Sequence, residues 1–304
     1  MAAEGIEVWR GGVNAWQCDH MGHLNVRFYV AQAMEGLVGL SAALGMAGAF
    51  SARGISTLLV REHHVRFVNE ARLGDPLHLT AGILQMGLAD ARVLQQLVHS
   101  GDGRPAAVFQ SLVQHAASTE VRPFAWPRAM LDRARALEVQ VPEGLGPRSL
   151  QPGAPSGAGS LADAERLGLM RYGAGAFGPE HCDVFGRVSA HQLMARMSDG
   201  AAHGIAVMRK AAGESIGLAV VEYRIVHLDW PRAGDRFVVR SGLRAVAPRR
   251  VTWTHWMLDP GSGRPWAVAH AVLVPFDLER RKAITLPDEA AAALTEKVVQ
   301  GWPA

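Results

Sequence analysis

Cysteine is scarce in this sequence, and a sorting signal is not evident at its start. The 304 residues include two cysteines, Cys18 and Cys182, which are too few for the disulfide framework of a secreted protein. Met1–Arg10 lacks the basic start and the apolar run of a secretory signal. We therefore expect a cytoplasmic protein with reduced thiols.

Concentrated charge and a membrane span are also missing. The formal net charge is +3, and the arginines are spread along the chain without a long basic run. Because binding to a phosphate backbone requires a concentrated basic face, we do not expect a nucleic-acid partner. The most apolar segment, Tyr29–Phe50, contains Gln32 and Glu35. Such a helix is more often buried in a globular fold than inserted in a membrane, so we expect no membrane insertion.

What the sequence does have is a large hydrophobic fraction, 49%, arranged in a two-fold repeat. Three segments of the first half recur in the same order in the second: CDHMG at 18–22 as CDVFG at 182–186, VREHHVRFVNEARLGD at 60–75 as VVEYRIVHLDWPRAGD at 220–235, and GRP at 103–105 as GRP at 263–265. The spacing is 164 residues for the first segment and 160 for the others. A repeat this long predicts two domains of one fold.

Each half predicts one helix and an antiparallel sheet. A short strand precedes each CD motif, at Glu7–Trp16 and Arg171–Gly178, and a mostly apolar helix follows it, at Phe28–Met46 and Ala190–Lys210. Four strand-like segments separated by Gly, Asp and Pro turns then follow in the second half: Gly217–Leu228, Arg236–Val246, Arg250–Leu258 and Trp266–Phe276. This is the pattern of an α+β unit whose sheet wraps around its long central helix.

The predicted boundaries are an N-terminal domain at 1–125, a helix and Gly/Pro-rich linker at 126–165, and a C-terminal domain with a terminal helix at 166–304. The linker is clearest at Pro142–Ser160, which is rich in Gly, Pro and Ser and has no periodicity. We therefore expect this segment to be irregular.

The segment that begins inside the first CD motif, at Asp19, resembles a known active-site signature. Five of its residues fall on the pattern D-x-D-x-x-G-H-x-N-x-x-x-Y: Asp19, Gly22, His23, Asn25 and Tyr29. This pattern is typical of hotdog-fold thioesterases that resemble 4-hydroxybenzoyl-CoA thioesterase, although Gln17 stands where the pattern has its first Asp. Plant acyl-ACP thioesterases have a similar D-x-x-x-H-x-N spacing.

The resemblance implies two tandem hotdog domains that pair as an intrachain pseudo-dimer. It also implies an acyl-CoA thioesterase, which hydrolyses an acyl-CoA to the free acid and coenzyme A. Coenzyme A would then enter as part of the substrate, and we expect no other cofactor. A homo-oligomer of double-hotdog subunits is possible.

Thioester hydrolysis assigns a role to each residue of the motif. Asp19 is the expected nucleophile or general base. The start of the following helix offers backbone N–H donors, and the resemblance places the oxyanion donor near Val26. Gly22 lets the backbone turn close to the substrate. By the same resemblance, His23 and Asn25 orient Asp19, a water molecule or the carbonyl group.

Several candidates also have structural interpretations. Asp19 can serve as a helix cap, and Tyr29 can simply pack at the start of the helix. Glu35, with Asp199 at the equivalent position, is a further candidate, because a carboxylate in an apolar helix requires a partner or water. A paired structural carboxylate is the simpler interpretation of Glu35.

Four histidines suggest a metal site: His20, His23, His63 and His64. The sequence has no HExxH or CxxC motif, and we expect no metal. Cys18 is a conceivable nucleophile, but its repeated partner Cys182 favours a small packed thiol.

The second half departs from the signature. Asp183 and Gly186 persist, whereas Arg187, Ser189 and Leu193 replace the His, Asn and Tyr of the first half. The second site is therefore slow, different in substrate or a remnant. Arg187 either contacts a phosphate of coenzyme A or pairs with Asp183.

Two other functions compete with thioester hydrolysis. A hotdog hydratase or dehydratase requires a different motif, G-D-x-N-P-x-H, and Gly74-Asp75-Pro76 lacks its continuation. A non-catalytic acyl-CoA-binding regulator would be expected to carry a DNA-binding region, which is not evident in the sequence.

Overall fold

The computed structural model describes residues 5–19, 21–213, 215–280 and 282–303. The chain divides into two compact units, one containing Met1–Pro147 and Asp183–His191 and the other containing Arg148–Cys182 and Gln192–Ala304. The domain limits expected at residues 125 and 166 remain predictions.

The first unit is built from an antiparallel sheet and one long helix. Its elements are β1 (Ile6–Gly12), α1 (Val26–Ala43), β2 (Ser56–Phe67), β3 (Pro76–Met86), β4 (Asp90–His99), β5 (Pro105–Ala117) and α2 (Arg128–Arg135). The strands are ordered β1-β3-β4-β5-β2, and each neighbouring pair is antiparallel. Val, Leu and Phe along the long strands favour this pleated, half-buried arrangement.

Helix α1 lies close against β1, β3 and β4. A Cβ atom added at Gly36 would lie 2.3 Å from Cδ2 of Leu79, so a larger residue here would force neighbouring side chains to move. Gln95 on β4 donates through Nε2 to the carbonyl oxygen of Ala33 at 2.8 Å, in a buried contact. The apolar helix predicted at Phe28–Met46 is therefore the central packing element of the unit.

The second half repeats this pattern. Its elements are α3 (Leu161–Arg166), β6 (Met170–Ala176), α4 (Ala190–Asp199), α5 (Ala201–Ala212), β7 (Ile216–His227), β8 (Arg236–Ala247), β9 (Arg250–Leu258), β10 (Pro265–Asp277), β11 (Lys282–Ala283) and α6 (Asp288–Thr295). The order β6-β8-β9-β10-β7, with β11 beside β10, repeats the strand order of the first half. The neighbouring strands of this half are antiparallel as well, and the predicted α+β class is confirmed.

The second central helix differs from the prediction in one respect. The single helix expected at Ala190–Lys210 is divided into α4 and α5 at Gly200. A Cβ atom added at Gly200 would lie 2.1 Å from Cδ1 of Tyr172 and 2.4 Å from its carbonyl oxygen. Glycine is a poor helix former, and here it meets a buried tyrosine on β6. The division therefore occurs at a tertiary contact that the local sequence pattern does not reveal.

The Gly/Pro-rich segment Pro142–Ser160 has neither helix nor strand, as predicted. Its residues from Arg148 onward belong to the second unit and are anchored within it. The carboxylate of Glu222 on β7 accepts the N–H of Arg148 at 3.0 Å and the N–H of Ser149 at 2.8 Å. Glu222 is buried, so these linker amides help to satisfy a carboxylate that would be costly to bury alone.

Candidate active site

The CD motif of the first half forms a tight loop between β1 and α1. Cys18 and Leu24 form an isolated antiparallel bridge, and the N–H of Asp19 donates to the carbonyl of His23 at 2.8 Å. Gly22 has a φ of +78°, a left-handed conformation that glycine adopts without strain. Its own N–H donates to the carbonyl of Asp19 at 3.0 Å, so Gly22 shapes the turn and its amide is already engaged.

The two carboxylate oxygens of Asp19 have different surroundings. Oδ1 accepts the N–H of Met21 at 2.8 Å and that of His23 at 3.1 Å, which fixes the side chain within the loop. Oδ2 has no hydrogen-bond partner in the part of the chain that the structure describes. The residue is partly exposed. A carboxylate anchored through one oxygen can use the other as a general base or nucleophile.

Helix α1 begins directly after this loop. Asn25 caps it: Oδ1 accepts the N–H of Arg27 at 3.0 Å, and the Asn25 carbonyl accepts the N–H of Phe28 at 2.9 Å. Among the described residues, no acceptor is present for the N–H of Val26. This donor lies at the positive end of an 18-residue helix, a position suited to stabilising a developing oxyanion.

His23 is paired with a residue that the sequence analysis did not identify. Its Nε2 lies 3.1 Å from Oε2 of Glu70. The neighbouring backbone is joined as well, because the N–H of Leu24 donates to the carbonyl of Ala71 at 2.8 Å. The sequence signal that could have identified Glu70 is a difference between the two repeats, because Trp230 stands at the position aligned with Glu70.

The other two candidates on α1 have structural surroundings. Tyr29 is buried, its hydroxyl oxygen accepts the N–H of Ala71 at 3.3 Å, and its ring packs edge-on against Phe67. Burial raises the pKa of Tyr29 to about 12, so it remains a neutral phenol at ordinary pH. Glu35 lies on the exposed face of α1, where it accepts Nε1–H of Trp9 at 2.8 Å.

The remaining polar candidates are the histidines and Cys18. No group of three or more His, Cys, Asp or Glu side chains among the described residues is placed to hold a metal ion, and His20 lies outside the described residues. His63 is buried with Nδ1 2.8 Å from Oγ of Ser111, and burial lowers the pKa of His63 to about 4. The Cys18 thiol is partly exposed and lies 3.5 Å from the carbonyl oxygen of Asn14.

The second copy of the loop has the same backbone bonds but a different side-chain arrangement. Oδ1 of Asp183 accepts the N–H of Phe185 at 2.8 Å and that of Arg187 at 3.0 Å, and Gly186 has a φ of +74°. Oδ2 lies 3.0 Å from both Nε and Nη2 of Arg187, which is buried. Because arginine stays protonated, this ion pair occupies the carboxylate oxygen that corresponds to Oδ2 of Asp19.

A family model described as the thioesterase-like superfamily matches residues 13–134 and 177–294. The chain belongs to this superfamily. Each matched segment contains one copy of the CD loop, in agreement with the internal repeat. The prediction of a thioesterase is thereby confirmed at the level of the superfamily. A search of curated proteins found no match to the sequence.

Solved structures match nearly the whole chain. The putative oleoyl thioesterase from Lactobacillus plantarum has a TM-score of 0.69 at 11% identity, over 95% of this chain and 98% of that chain. The 12:0-ACP thioesterase from Umbellularia californica has a TM-score of 0.66 at 12% identity, over 88% and 93%. An acyl-ACP thioesterase from Bacteroides thetaiotaomicron VPI-5482 has a TM-score of 0.65 at 9% identity, over 87% and 96%. At these identities the likeness shows a shared fold.

No helix among the described residues is long and apolar enough to cross a membrane.

Proposed function

We propose that the protein is an acyl-CoA thioesterase and that its catalysis takes place at the Asp19 loop. Membership of the thioesterase-like superfamily supports the reaction class. The observation that carries the choice of site is the difference between the two loop carboxylates. Oδ2 of Asp183 is bound by Arg187, whereas Oδ2 of Asp19 has no partner within the described residues.

The reaction follows from the groups at this loop. In the general-base route, Oδ2 of Asp19 takes a proton from water as the water oxygen bonds to the thioester carbon. The carbonyl oxygen becomes an oxyanion, which the N–H of Val26 stabilises. Collapse of this intermediate breaks the C–S bond. The leaving thiolate then takes up the proton, and the products are the free acid and coenzyme A.

A nucleophilic route uses the same atom of Asp19. Oδ2 attacks the thioester carbon and expels the thiolate, and water then hydrolyses the resulting mixed anhydride. In either route His23 and Asn25 orient the water or the carbonyl group. The cap formed by Asn25 uses its side-chain oxygen, which leaves its NH₂ group as a donor for this purpose.

An acyl-ACP substrate is the second candidate. Two of the solved structures that match almost the whole chain are those of acyl-ACP thioesterases. The reacting thioester is the same on either carrier, so the chemistry at Asp19 does not distinguish them. The comparison that does so measures kcat/KM for one acyl group presented on coenzyme A and on acyl carrier protein.

The proposed function is tested by following free-thiol release from a panel of acyl-CoAs. Asp19→Asn should lower kcat by about 10²–10⁴-fold, since it removes the base or nucleophile. Asp183→Asn is the matched control, because it makes the same substitution at the equivalent position of the second loop. This variant should retain turnover. Full activity in Asp19→Asn would refute the assignment. A larger loss in Asp183→Asn would move catalysis to the second loop.

The two other functions give different results in the same experiment. A hydratase or dehydratase would convert enoyl-CoA or hydroxyacyl-CoA without releasing thiol. A non-catalytic acyl-CoA-binding protein would bind the panel without turnover. Pairing of the two units as an intrachain pseudo-dimer, and any further homo-oligomer, remain predictions.

A further inference from the structure

His23 donates its backbone N–H to Oδ1 of Asp19, and its imidazole contacts the carboxylate of Glu70. We propose that Glu70 is a positioning residue: its carboxylate holds the imidazole of His23 in the one tautomer and orientation that thioester hydrolysis uses. This inference rests on the proposed function at Asp19. It adds a residue from outside the signature, 47 positions after His23 in the chain.

The backbone brings Glu70 to the loop in a defined way. His23 and Arg72 form an isolated antiparallel bridge, and the N–H of Leu24 donates to the carbonyl of Ala71 at 2.8 Å. Glu70 therefore belongs to a segment that is joined to the loop by main-chain contacts. Its position opposite His23 does not depend on a long, freely rotating side chain alone.

The carboxylate of Glu70 is itself held on a second side. Nη2 of Arg72 donates to Oε2 of Glu70 at 2.8 Å, and the same oxygen lies 3.1 Å from Nε2 of His23. The backbone N–H of Arg72 donates in turn to Oδ2 of Asp75 at 2.8 Å. This succession of contacts limits the ways in which the carboxylate can turn away from the imidazole.

The contact favours one position of the proton on the imidazole. An ionised carboxylate only accepts hydrogen bonds, so Glu70 favours the form of His23 that carries a hydrogen on Nε2. In the neutral form of that ring the lone pair lies on the other nitrogen, Nδ1. Fixing a histidine tautomer through a carboxylate on its far nitrogen is a general way to prepare it for proton transfer.

The repeat supplies an internal comparison. In the second loop Arg187 replaces His23, and Trp230 replaces Glu70 at the aligned position. Arg187 is bound to Asp183 instead. The histidine and the carboxylate are therefore both absent from the copy whose aspartate is held by an ion pair. This joint replacement is the result expected if the two residues act as a pair.

An ordinary surface ion pair is the alternative, and the exposure of Glu70 makes the two roles separable. The side chains of His23 and Glu70 are 18% and 45% exposed, and exposed ion pairs contribute little to stability. Removing the charge of Glu70 should therefore leave folding nearly unchanged. A change in turnover would then report on the position of His23.

The experiment measures kcat and KM of the full-length protein on an acyl-CoA that the wild type hydrolyses. Glu70→Gln should lower kcat by about 10- to 100-fold, as part of the contribution of general acid–base catalysis, and leave KM unchanged. In a His23→Asn background, Glu70→Gln should have no further effect, because the pair acts as a unit. The control is Glu120→Gln. It removes a carboxylate with the same spacing to its arginine, Arg122, in an exposed pair away from the loop.

Nitrogen-15 NMR of the imidazoles gives a readout that does not depend on turnover. The His23 signals are assigned by their loss in His23→Asn. The wild type should show the Nε2–H tautomer, and Glu70→Ala should show a mixture of tautomers. A merely structural ion pair would not produce a tautomer change together with a selective loss of kcat.

The outcomes separate this inference from the proposed function. If Glu70→Gln hydrolyses substrate like the wild type while Asp19→Asn is inactive, the role of Glu70 is refuted and the function stands. The role of Glu70 would also be refuted if the losses of kcat in Glu70→Gln and His23→Asn multiply in the double variant. It would equally be refuted if Glu120→Gln loses as much kcat as Glu70→Gln. Full activity in Asp19→Asn would instead overturn the proposed function.

Discussion

Replacing Asp183 by asparagine tests whether the second loop uses its aspartate for folding. The carboxylate pairs with a guanidinium whose side chain is 3% exposed, while the Asp183 side chain is 32% exposed. Asparagine retains an oxygen for the amides of Phe185 and Arg187, but it no longer neutralises the buried charge. Breaking a buried ion pair by removing one partner costs about 3–5 kcal/mol. Because Asp183 is one-third exposed, we expect about 2 kcal/mol.

Asp19→Asn is the matched reference for this measurement. It weakens the same two backbone hydrogen bonds at Oδ1, to Met21 and His23, but among the described residues it leaves no buried cation without its partner. Subtracting its effect therefore isolates the ion pair with Arg187. Urea unfolding followed by tryptophan fluorescence gives both free energies of unfolding. Asp183→Asn should lower the free energy of unfolding with little loss of turnover. Asp19→Asn should lower turnover with a smaller loss of stability.

Two results would refute this reasoning. One is a loss in free energy of unfolding that differs by less than about 0.5 kcal/mol between Asp183→Asn and Asp19→Asn, since changes at exposed sites usually fall within that range. The other is a double variant, Asp183→Asn with Arg187→Leu, that is no more stable than Asp183→Asn alone. Removing both partners should relieve the unpaired charge, since replacing a buried ion pair by apolar groups is often neutral.

Substitutions at three further positions test the fold. Asn25→Ala removes the cap of α1 and should lower the free energy of unfolding by about 1 kcal/mol, which thermal unfolding measures. Asn25→Asp should keep the cap but lower kcat, because it removes the NH₂ donor. A Cβ atom at Gly82 would lie 2.5 Å from Cγ1 of Val139, so Gly82→Ala should cost about 1–3 kcal/mol in urea unfolding through overpacking. Burial lowers the pKa of His63 to about 4 and that of His255 to about 3, from 6.5. Both side chains are neutral in the folded protein and take up a proton on unfolding below about pH 6.5. The urea midpoint should therefore fall as the pH drops below that value, and His255→Gln should make this dependence on pH weaker.

Much of the fold could be predicted because the repeat and the turn residues were clear. The strand predicted at Arg250–Leu258 has the observed bounds, and the other three strands predicted after the second helix are within one residue at each end, whereas the strand predicted at Arg171–Gly178 ends two residues too late. The start of α1 was predicted two residues late, at Phe28. Asn25 was assigned a catalytic role, and its value as an N-cap signal was overlooked.

Other features depended on contacts between distant residues. The division of the second helix at Gly200 requires the position of Tyr172 on β6. Glu70 was missed because it has no local pattern and meets His23 only through the folded backbone. By contrast, pairing of Arg187 with Asp183 was one of two predicted alternatives, since a four-residue separation within one loop places the two side chains within reach.

The shared Oδ1 bonds of the two loops have a consequence for how such repeats evolve. After a duplication, an aspartate that shapes its loop is retained by selection for folding even when its chemical role lapses. The CD motif then records the ancestry of a loop and not its present activity. Counting aspartates finds two equivalent loops in this chain, whereas counting the loop aspartates whose Oδ2 has no partner in the described part of the chain finds one.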